Sequence, residues 1–555
     1  MKKSNCNKLM ALLLCLTLVL GMTGCAKKET EETNTSSGNN TATSTTVPTT
    51  EAGQQEEEQG YPINTDQKLT VWSSYMAPQK SYTSYTESPF HTGLAENTGI
   101  EVEWVFPTTG TDATQAFNLM LNSGELPDII INNNLGKDAE QYIDEGIIRD
   151  LTEILPQKAP NYWKYLQSNS YNNKSVKTDN GKYYGFVGFR ESQWNAVYIG
   201  PVVRKDWLEE CGLEVPVTIA DFDKVIRTFN DKYGAKFAFS IVSTKMNVGL
   251  AGSFGTRGSF AIEDNELFYL DDNQKVQCSM ATTNWKNYMS QLNQWYKEGL
   301  IDTDTLTIDD AGMRTKVLNN KVGIAITSMG QMTNWLADAT NEGSTANWEG
   351  IPYPVLNAGD TVMYTQMDDT VRPLAAAITT SCDEDKVDIA LKWLDYFYSE
   401  EGIRYTNFGT EGETYTMVDG VPTYTDLILK DPEGASAALD KYACAQWGSI
   451  GIQAEQLVRQ KNNPTAVTAV DTWLQNQETE KHIYPSGVIK TAEESNEAAS
   501  ITAALQTYIQ EMSLKFVTGE ESLDNFDKFL ADLDNMGLQK LLTIQQAAYD
   551  RFLQR

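Results

Sequence analysis

Histidine is scarce: His91 and His482 are the only two in 555 residues. A metal centre built on imidazole, or a Ser-His-Asp relay, would have to use one of them, so both chemistries are nearly without material. Cysteine is thin as well. Of seven, Cys6, Cys15 and Cys25 fall within residues 1–25, and Cys211, Cys278, Cys382 and Cys444 are scattered singly with no CxxC pair. A zinc ribbon or thioredoxin-type motif is therefore unsupported, and the last four read as mostly buried thiols, although their even number permits disulfides. Positive charge is in deficit, with 44 Lys plus Arg against 75 Asp plus Glu and a formal net charge of −31. A polyanionic nucleic acid would be repelled, and no such partner is expected. The chain has no GxxxxGK[ST] phosphate loop, no GxSxG elbow and no HExxH helix. It shows no repeat with a period of 20 to 50 residues, which sets solenoids and propellers aside. No cofactor is expected.

What is present is a globular composition, 41% hydrophobic and 21% charged, in a chain long enough for two to four domains at roughly 150 residues each. Lys2, Lys3 and Lys8 precede an apolar run over 9–22, too short to cross a hydrocarbon core of about 30 Å and typical of a secretory signal. The run ends in Gly21-Met22-Thr23-Gly24-Cys25, which resembles the lipobox of bacterial lipoproteins, although Met22 stands where leucine is commoner. That resemblance implies a signal peptide over 1–24, acylation of Cys25 and residence on the outer face of the cell membrane. Residues 26–60 contain no aromatic side chain and consist largely of Thr, Ser, Glu, Gln, Asn and Gly. Such a segment cannot bury enough apolar surface to offset its ordering entropy. Residues 25–65 are accordingly expected to be a lipidated, disordered tether with a reach of roughly 30 Å.

The body opens with an alternating strand over 68–72, a second over 98–105 and a continuous apolar strand ending at Ile129-Ile130-Ile131, with helices between them, the second over 115–121. Strand alternating with helix predicts an α/β lobe, and an unbroken apolar run predicts burial on both faces of a sheet. Further strands are expected over 183–187, 197–203, 323–327 and 374–379. Helices are expected over 220–230, 285–296, 385–398, 495–516 and 521–536. Gly124 and Gly299 read as helix stops and Asp150 as a helix cap, roles that need no ligand.

The segment Leu121-Asn122-Ser123-Gly124-Glu125-Leu126-Pro127-Asp128-Ile129 resembles the SGELPDI stretch of extracellular solute-binding proteins, family 1, of ABC importers, in particular the large LplA-type lipoproteins. Tyr142-Ile143-Asp144-Glu145-Gly146, Gly181-Lys182-Tyr183-Tyr184-Gly185, Arg204-Lys205-Asp206-Trp207-Leu208, Trp295-Tyr296-Lys297-Glu298-Gly299 and Ala547-Ala548-Tyr549-Asp550-Arg551-Phe552 follow in the same order. The resemblance spans roughly 66–555. It implies an α/β, two-lobed, periplasmic-binding-protein-like (type II) fold with several interlobe crossovers, near 190–195, 369–373 and 408–415. Lobe one would be 66–192 and 371–412, and lobe two 193–370 and 413–555. Alginate-type relatives carry a calcium loop after the helix corresponding to 220–230. Here that loop reads Asn230-Asp231-Lys232-Tyr233-Gly234-Ala235-Lys236, too poor in acids for six or more oxygen ligands, so no calcium is expected. Asp302, Asp304, Asp309 and Asp310 read as a solvated turn.

Ligands of open α/β sheets lie beyond the carboxyl ends of the strands. This places Trp72, Tyr75, Asn132, Asn133, Arg190, Trp194, Ser328, Gln331, Glu411, Tyr415, Trp447 and Tyr484 at the candidate site. Flat aromatic faces pack on the C–H surface of a sugar, while amides, Glu and Arg bond its hydroxyls. The expected function is capture of a carbohydrate, an oligosaccharide first, without catalysis, by a monomer that docks on ABC permease subunits. Two alternatives share these features: a surface polysaccharide-degrading enzyme using a carboxylate pair, and a ligand-sensing lobe for a receptor.

Overall fold

The structure, a computed structural model, describes residues 60–73, 82, 85–107, 112–133, 135–240, 249–258, 267–445 and 450–555. The expected leader, Cys25, Tyr75 and Trp447 lie outside the described residues, as does the expected tether up to residue 59; its last residues are corrected, since Ile63 is buried with its N–H on the Thr98 carbonyl at 2.8 Å and Tyr61 donates to the Lys392 carbonyl at 2.6 Å. Among these residues the strands run in chain order as β1 (Lys68–Ser73), β2 (Glu101–Val105), β3 (Ile129–Asn132), β4 (Phe186–Arg190), β5 (Ile199–Arg204), β6 (Lys236–Ala238), β7 (Phe268–Leu270), β8 (Val276–Cys278), β9 (Val322–Ser328), β10 (Trp348–Gly350), β11 (Val371–Ile378), β12 (Tyr415–Val418), β13 (Val421–Tyr424) and β14 (Gly451–Gln453).

Burial follows the apolar patterning. β3, β5 and β9 are buried along their whole length, as strands covered on both faces must be. β2 alternates exposed and half-buried positions, with Glu101 and Glu103 in water, which suits the edge of a sheet. Helix Ala113–Ser123 stops at Gly124, whose φ of 74° a residue with a side chain rarely adopts. Helix Ile219–Tyr233 starts at a reciprocal cap between Thr218 and Asp221, and it buries Phe222, Val225, Ile226 and Phe229 on one stripe.

Some boundaries differ from the sequence reading. Thr98 closes helix Pro89–Thr98 instead of opening a strand. The strand expected over 183–187 is displaced to β4, because Tyr183 pairs with Lys177 across a turn and its carbonyl accepts from the Leu151 N–H. The helix expected from 521 begins at Phe526, after a 3-10 turn capped by Ser522.

The first sheet has the order β14-β4-β11-β3-β1-β2 and the second β10-β5-β9-β6. Two hydrophobic cores accompany them. The first takes residues from Ile63 to Phe189, from Val371 to Tyr405, and Ile450 and Ile452. The second takes residues from Trp194 to Met367, from Phe408 to Ala445, and from Ala454 to Phe552. The resemblance assigned all of 413–555 to the second lobe. That assignment is corrected by β14, which pairs with β4 in the first sheet. None of Cys211, Cys278, Cys382 and Cys444 is in a disulfide, and burial pushes Cys278 up to about 11 and Cys382 to about 12.

Candidate functional site

Strand directions locate the site. In the first sheet β1, β2, β3, β4 and β14 are parallel and only β11 opposes them, so their carboxyl ends share one rim with the start of β11. In the second sheet β6, β9 and β10 end where the opposing β5 begins. Residues 191–198 join the end of β4 to the start of β5, so the two rims adjoin at this junction. This is where ligands of α/β folds bind.

Three of the segments that pass between the cores bond to one another at the junction. Arg190 N–H donates to the Thr370 carbonyl at 2.8 Å, Glu191 N–H to Gln453 at 3.0 Å and Asp368 N–H to Ala196 at 3.0 Å. Side chains reinforce it. Arg190 donates through Nη1 to the Asp369 carbonyl at 2.5 Å and through Nη2 to Asp368 Oδ2 at 2.7 Å. Asp369 Oδ2 accepts from Tyr171 at 2.6 Å and from the Ser486 N–H and hydroxyl at 2.9 and 2.7 Å. Ser192 donates to Glu455 at 2.6 Å, and Asn195 Nδ2 donates to the Gln453 carbonyl at 2.9 Å. Short segments bonded in this way can absorb a hinge rotation without unfolding either core.

The residues singled out from sequence divide into groups. Asn132, which is buried, and exposed Asn133 lie at the end of β3, on the same rim as Arg190 at the end of β4. Trp72, in contrast, is 4% exposed and packs on Phe117 at 5.8 Å, inside the first core. Trp194 donates its indole N–H to Asp471 at 2.6 Å and carries the Arg459 guanidinium 3.8 Å over its ring, so that face is already occupied. Ser328 accepts from the Gln331 N–H as a helix cap, and Gln331 Nε2 donates to Asp310 at 2.6 Å. Tyr415 is buried on Phe408, while Glu411 stays exposed. Tyr484 donates to Gln545 at 3.0 and 2.8 Å inside the second core, and burial raises its hydroxyl strongly. For Trp72, Trp194, Tyr415 and Tyr484 the structure corrects the expectation of a free aromatic face. The acidic turn is corrected too: Asp302 is buried and takes the Lys316 ammonium on both oxygens, at 2.7 and 2.6 Å. At the loop after helix Ile219–Tyr233, the Lys236 ammonium itself donates to Asn230 at 2.5 Å.

Sequence reasoning missed Glu191, Asp368, Glu455 and Arg459, although each lies within a few residues of a strand end. Lys461 had no local signal. Burial pulls its ammonium down to about 8; Asp440 works against that and Arg372 with it. Below pH 8 the folded chain therefore holds a desolvated charge, and stability rises as pH climbs from about 8 towards the ordinary lysine value of 10.5. Lys461→Met is expected to raise the urea midpoint at pH 7 and to flatten the rise between pH 8 and 10. Identical pH profiles for the two proteins would show that Lys461 titrates normally.

A cavity of about 960 Å³ opens elsewhere, between the segment before β1, helix Pro89–Thr98 and β2, lined by Gln67, His91, Trp104 and Trp393 among others. It runs along the amino-terminal ends of β1 and β2, away from the adjoining rims, and is no part of the site.

The sequence pattern of the family described as Bacterial extracellular solute-binding protein matches residues 77–403. The chain is 23% identical to the fructooligosaccharide ABC transporter substrate-binding protein FusA of Streptococcus pneumoniae serotype 4, over 83% of this chain and 86% of that protein. In fold it is similar to the alginate-binding protein AlgQ2 without calcium ion, with a TM-score of 0.70 at 24% identity, covering 89% of this chain and 100% of that one. It is also similar to an extracellular solute-binding protein from Bifidobacterium longum subsp. infantis, with a TM-score of 0.72 at 18% identity, covering 88% and 100%. The two cores thus correspond to the lobes of a two-lobed α/β solute-binding fold.

Proposed function

We propose that this chain, which belongs to the bacterial extracellular solute-binding protein family, captures an oligosaccharide between its two lobes and releases it chemically unchanged to a membrane permease. The observation that carries the reading is the likeness to a fructooligosaccharide-binding relative over most of both chains. The adjoining rims support it. Asn133 and Glu191, both exposed there, offer donors and acceptors of the kind that satisfy sugar hydroxyls. Lobe one is 66–192 and 371–407 with β14, and lobe two is the remainder of 193–370 and 408–555. A ligand touched by both rims binds the closed arrangement better than the open one, and that difference drives closure. Transport is powered by a separate ATPase, and acylated Cys25 holds a monomer at the outer face of the membrane.

The test is titration of the full chain with a panel of fructans, alginate fragments, pectic fragments and milk oligosaccharides. One class is expected to bind, to lower the radius of gyration in solution scattering and to come back intact by mass spectrometry. At 100 times its dissociation constant it should stabilise the fold by about 2.7 kcal/mol. Cleaved product in the recovered glycan would replace this reading with an enzyme.

A further inference from the structure

The cavity of about 960 Å³ beside β1 and β2 has walls that are fastened to one another. The segment before β1 is held at three points. Tyr61 donates to the Lys392 carbonyl at 2.6 Å, the Ile63 N–H to the Thr98 carbonyl at 2.8 Å, and Gln67 Nε2 to Asp385 Oδ2 at 2.9 Å. Gly99, at a φ of 70°, lets that segment lie against the end of helix Pro89–Thr98, since a Cβ there would overlap the Ile63 carbonyl oxygen. The volume suits a small-molecule site, for which about 300–1,000 Å³ is usual.

Three lining side chains each keep a buried polar atom that has no hydrogen-bond partner: Gln67 Oε1, His91 Nδ1 and Trp393 Nε1. Turning the Gln67 amide over would not help, because its Nε2 is already committed to Asp385. Each atom left in this way costs about 1–3 kcal/mol, which a ligand that bonds it recovers.

The mixture of donor and acceptor selects the ligand. The Trp393 indole can only donate and Gln67 Oε1 can only accept. A hydroxyl answers both, and it answers His91 Nδ1 in either tautomer, whereas an ammonium cannot accept and a carboxylate cannot donate. Charge agrees. Burial pulls His91 down to about 3, so its ring is neutral at any higher pH and offers an anion nothing to pair with. Lys68 already pairs with Glu101, while Asp66 and Glu96 are exposed carboxylates in the lining. Half-buried Trp104 stands nearly perpendicular to His91 at 5.2 Å and lies 6.0 Å from Trp393, and rings in such a wall can pack on the C–H surface of a sugar.

We infer that this cavity is a binding site for a short neutral saccharide, separate from the cleft between the lobes. Its walls come from the first lobe alone, so filling it leaves the lobe positions unchanged. The inference goes beyond the transport role proposed above and does not depend on it.

The test uses the full chain labelled with 5-fluorotryptophan, with the signals of the two cavity tryptophans assigned by Trp104→Phe and Trp393→Phe. The probes are glucose, galactose, fructose, N-acetylglucosamine and their neutral di- and trisaccharides, with galacturonate and choline as charged counterparts. At least one neutral saccharide is expected to shift both fluorine signals saturably without lowering the radius of gyration. Gln67→Ala, read at both signals, and Trp104→Ala, read at Trp393, are each expected to weaken that binding at least fivefold, and Glu191→Ala in the cleft to leave it within twofold. No shift with any probe, or shifts with choline or galacturonate alone, would overturn the inference. So would parent-like binding by both Gln67→Ala and Trp104→Ala, or loss of the shifts in Glu191→Ala, which would put the saccharide in the cleft. If these signals respond as expected while no glycan compacts the protein, the transport reading has failed and this site stands.

Discussion

Replacing Asp179 with alanine is expected to cost the fold about 3–5 kcal/mol, the price of stranding a buried charge. Asp179 sits in the turn before Tyr183, on the side of the first core, and takes two arginines from helix Leu538–Gln554 and its end, on the side of the second. Arg551 Nε donates to Oδ2 at 2.5 Å, and Arg555 donates to Oδ1 through Nε at 3.0 Å and Nη2 at 2.5 Å. Arg551 has a second carboxylate, Glu494, at 2.9 and 2.6 Å. Arg555 has none. Its side chain is fully buried, and its other bonds go to the Lys177 and Gly487 carbonyls, both at 2.7 Å, and to the Lys174 carbonyl at 3.5 Å. Burial lowers its pKa and Asp179 opposes that fall. Without Asp179 an arginine charge remains in a desolvated pocket with neutral acceptors alone, and the contact between the lobes loses its anchor. Urea denaturation followed by tryptophan fluorescence should show a lower midpoint, and solution scattering a wider spread of lobe positions. An unchanged midpoint would mean that water reaches Arg555 freely.

The second large effect is expected at Asp369, where Asp369→Asn should be nearly as damaging as Asp369→Ala. Three donors, from Tyr171 and Ser486, converge on Oδ2, and the Val371 N–H takes Oδ1 at 3.0 Å. An amide has one acceptor oxygen, so whichever way the substituted side chain turned, its NH₂ group would face a donor. Leaving buried donors unsatisfied costs about 1–3 kcal/mol each. Because these bonds hold the crossover between the lobes, glycan affinity should fall about tenfold together with stability. If Asp369→Asn bound glycan and melted as the parent does, the carboxylate would not be the organising group of the hinge.

Both residues show where reading the chain in one dimension stops. Asp179 and Arg555 are 376 positions apart, and nothing near either one announces the other. Lys461 is similar: its perturbed ammonium depends on Arg372 and Asp440, which only the folded chain brings near. Among the aromatic candidates, Trp72, Trp194, Tyr415 and Tyr484 carried the right chemistry for a sugar, but a ring in a pocket and a ring in a core look alike in sequence. The strand-end rule put Asn132, Asn133 and Arg190 at the carboxyl ends of β3 and β4, where the structure also has them, because it depends on strand direction and not on what covers a side chain.

By itself the sequence determined the local elements and the kinship. β-branched apolar runs such as Ile129-Ile130-Ile131 and Val322-Gly323-Ile324-Ala325-Ile326 favour buried strands, and caps such as Thr218 and Gly124 act within one turn of the backbone. The tertiary structure alone decided that β14 returns to the first sheet, which charges meet across the junction and which rings are already covered. Burial and pairing over hundreds of residues are properties of distance in space, and covalent order carries almost no information about that distance.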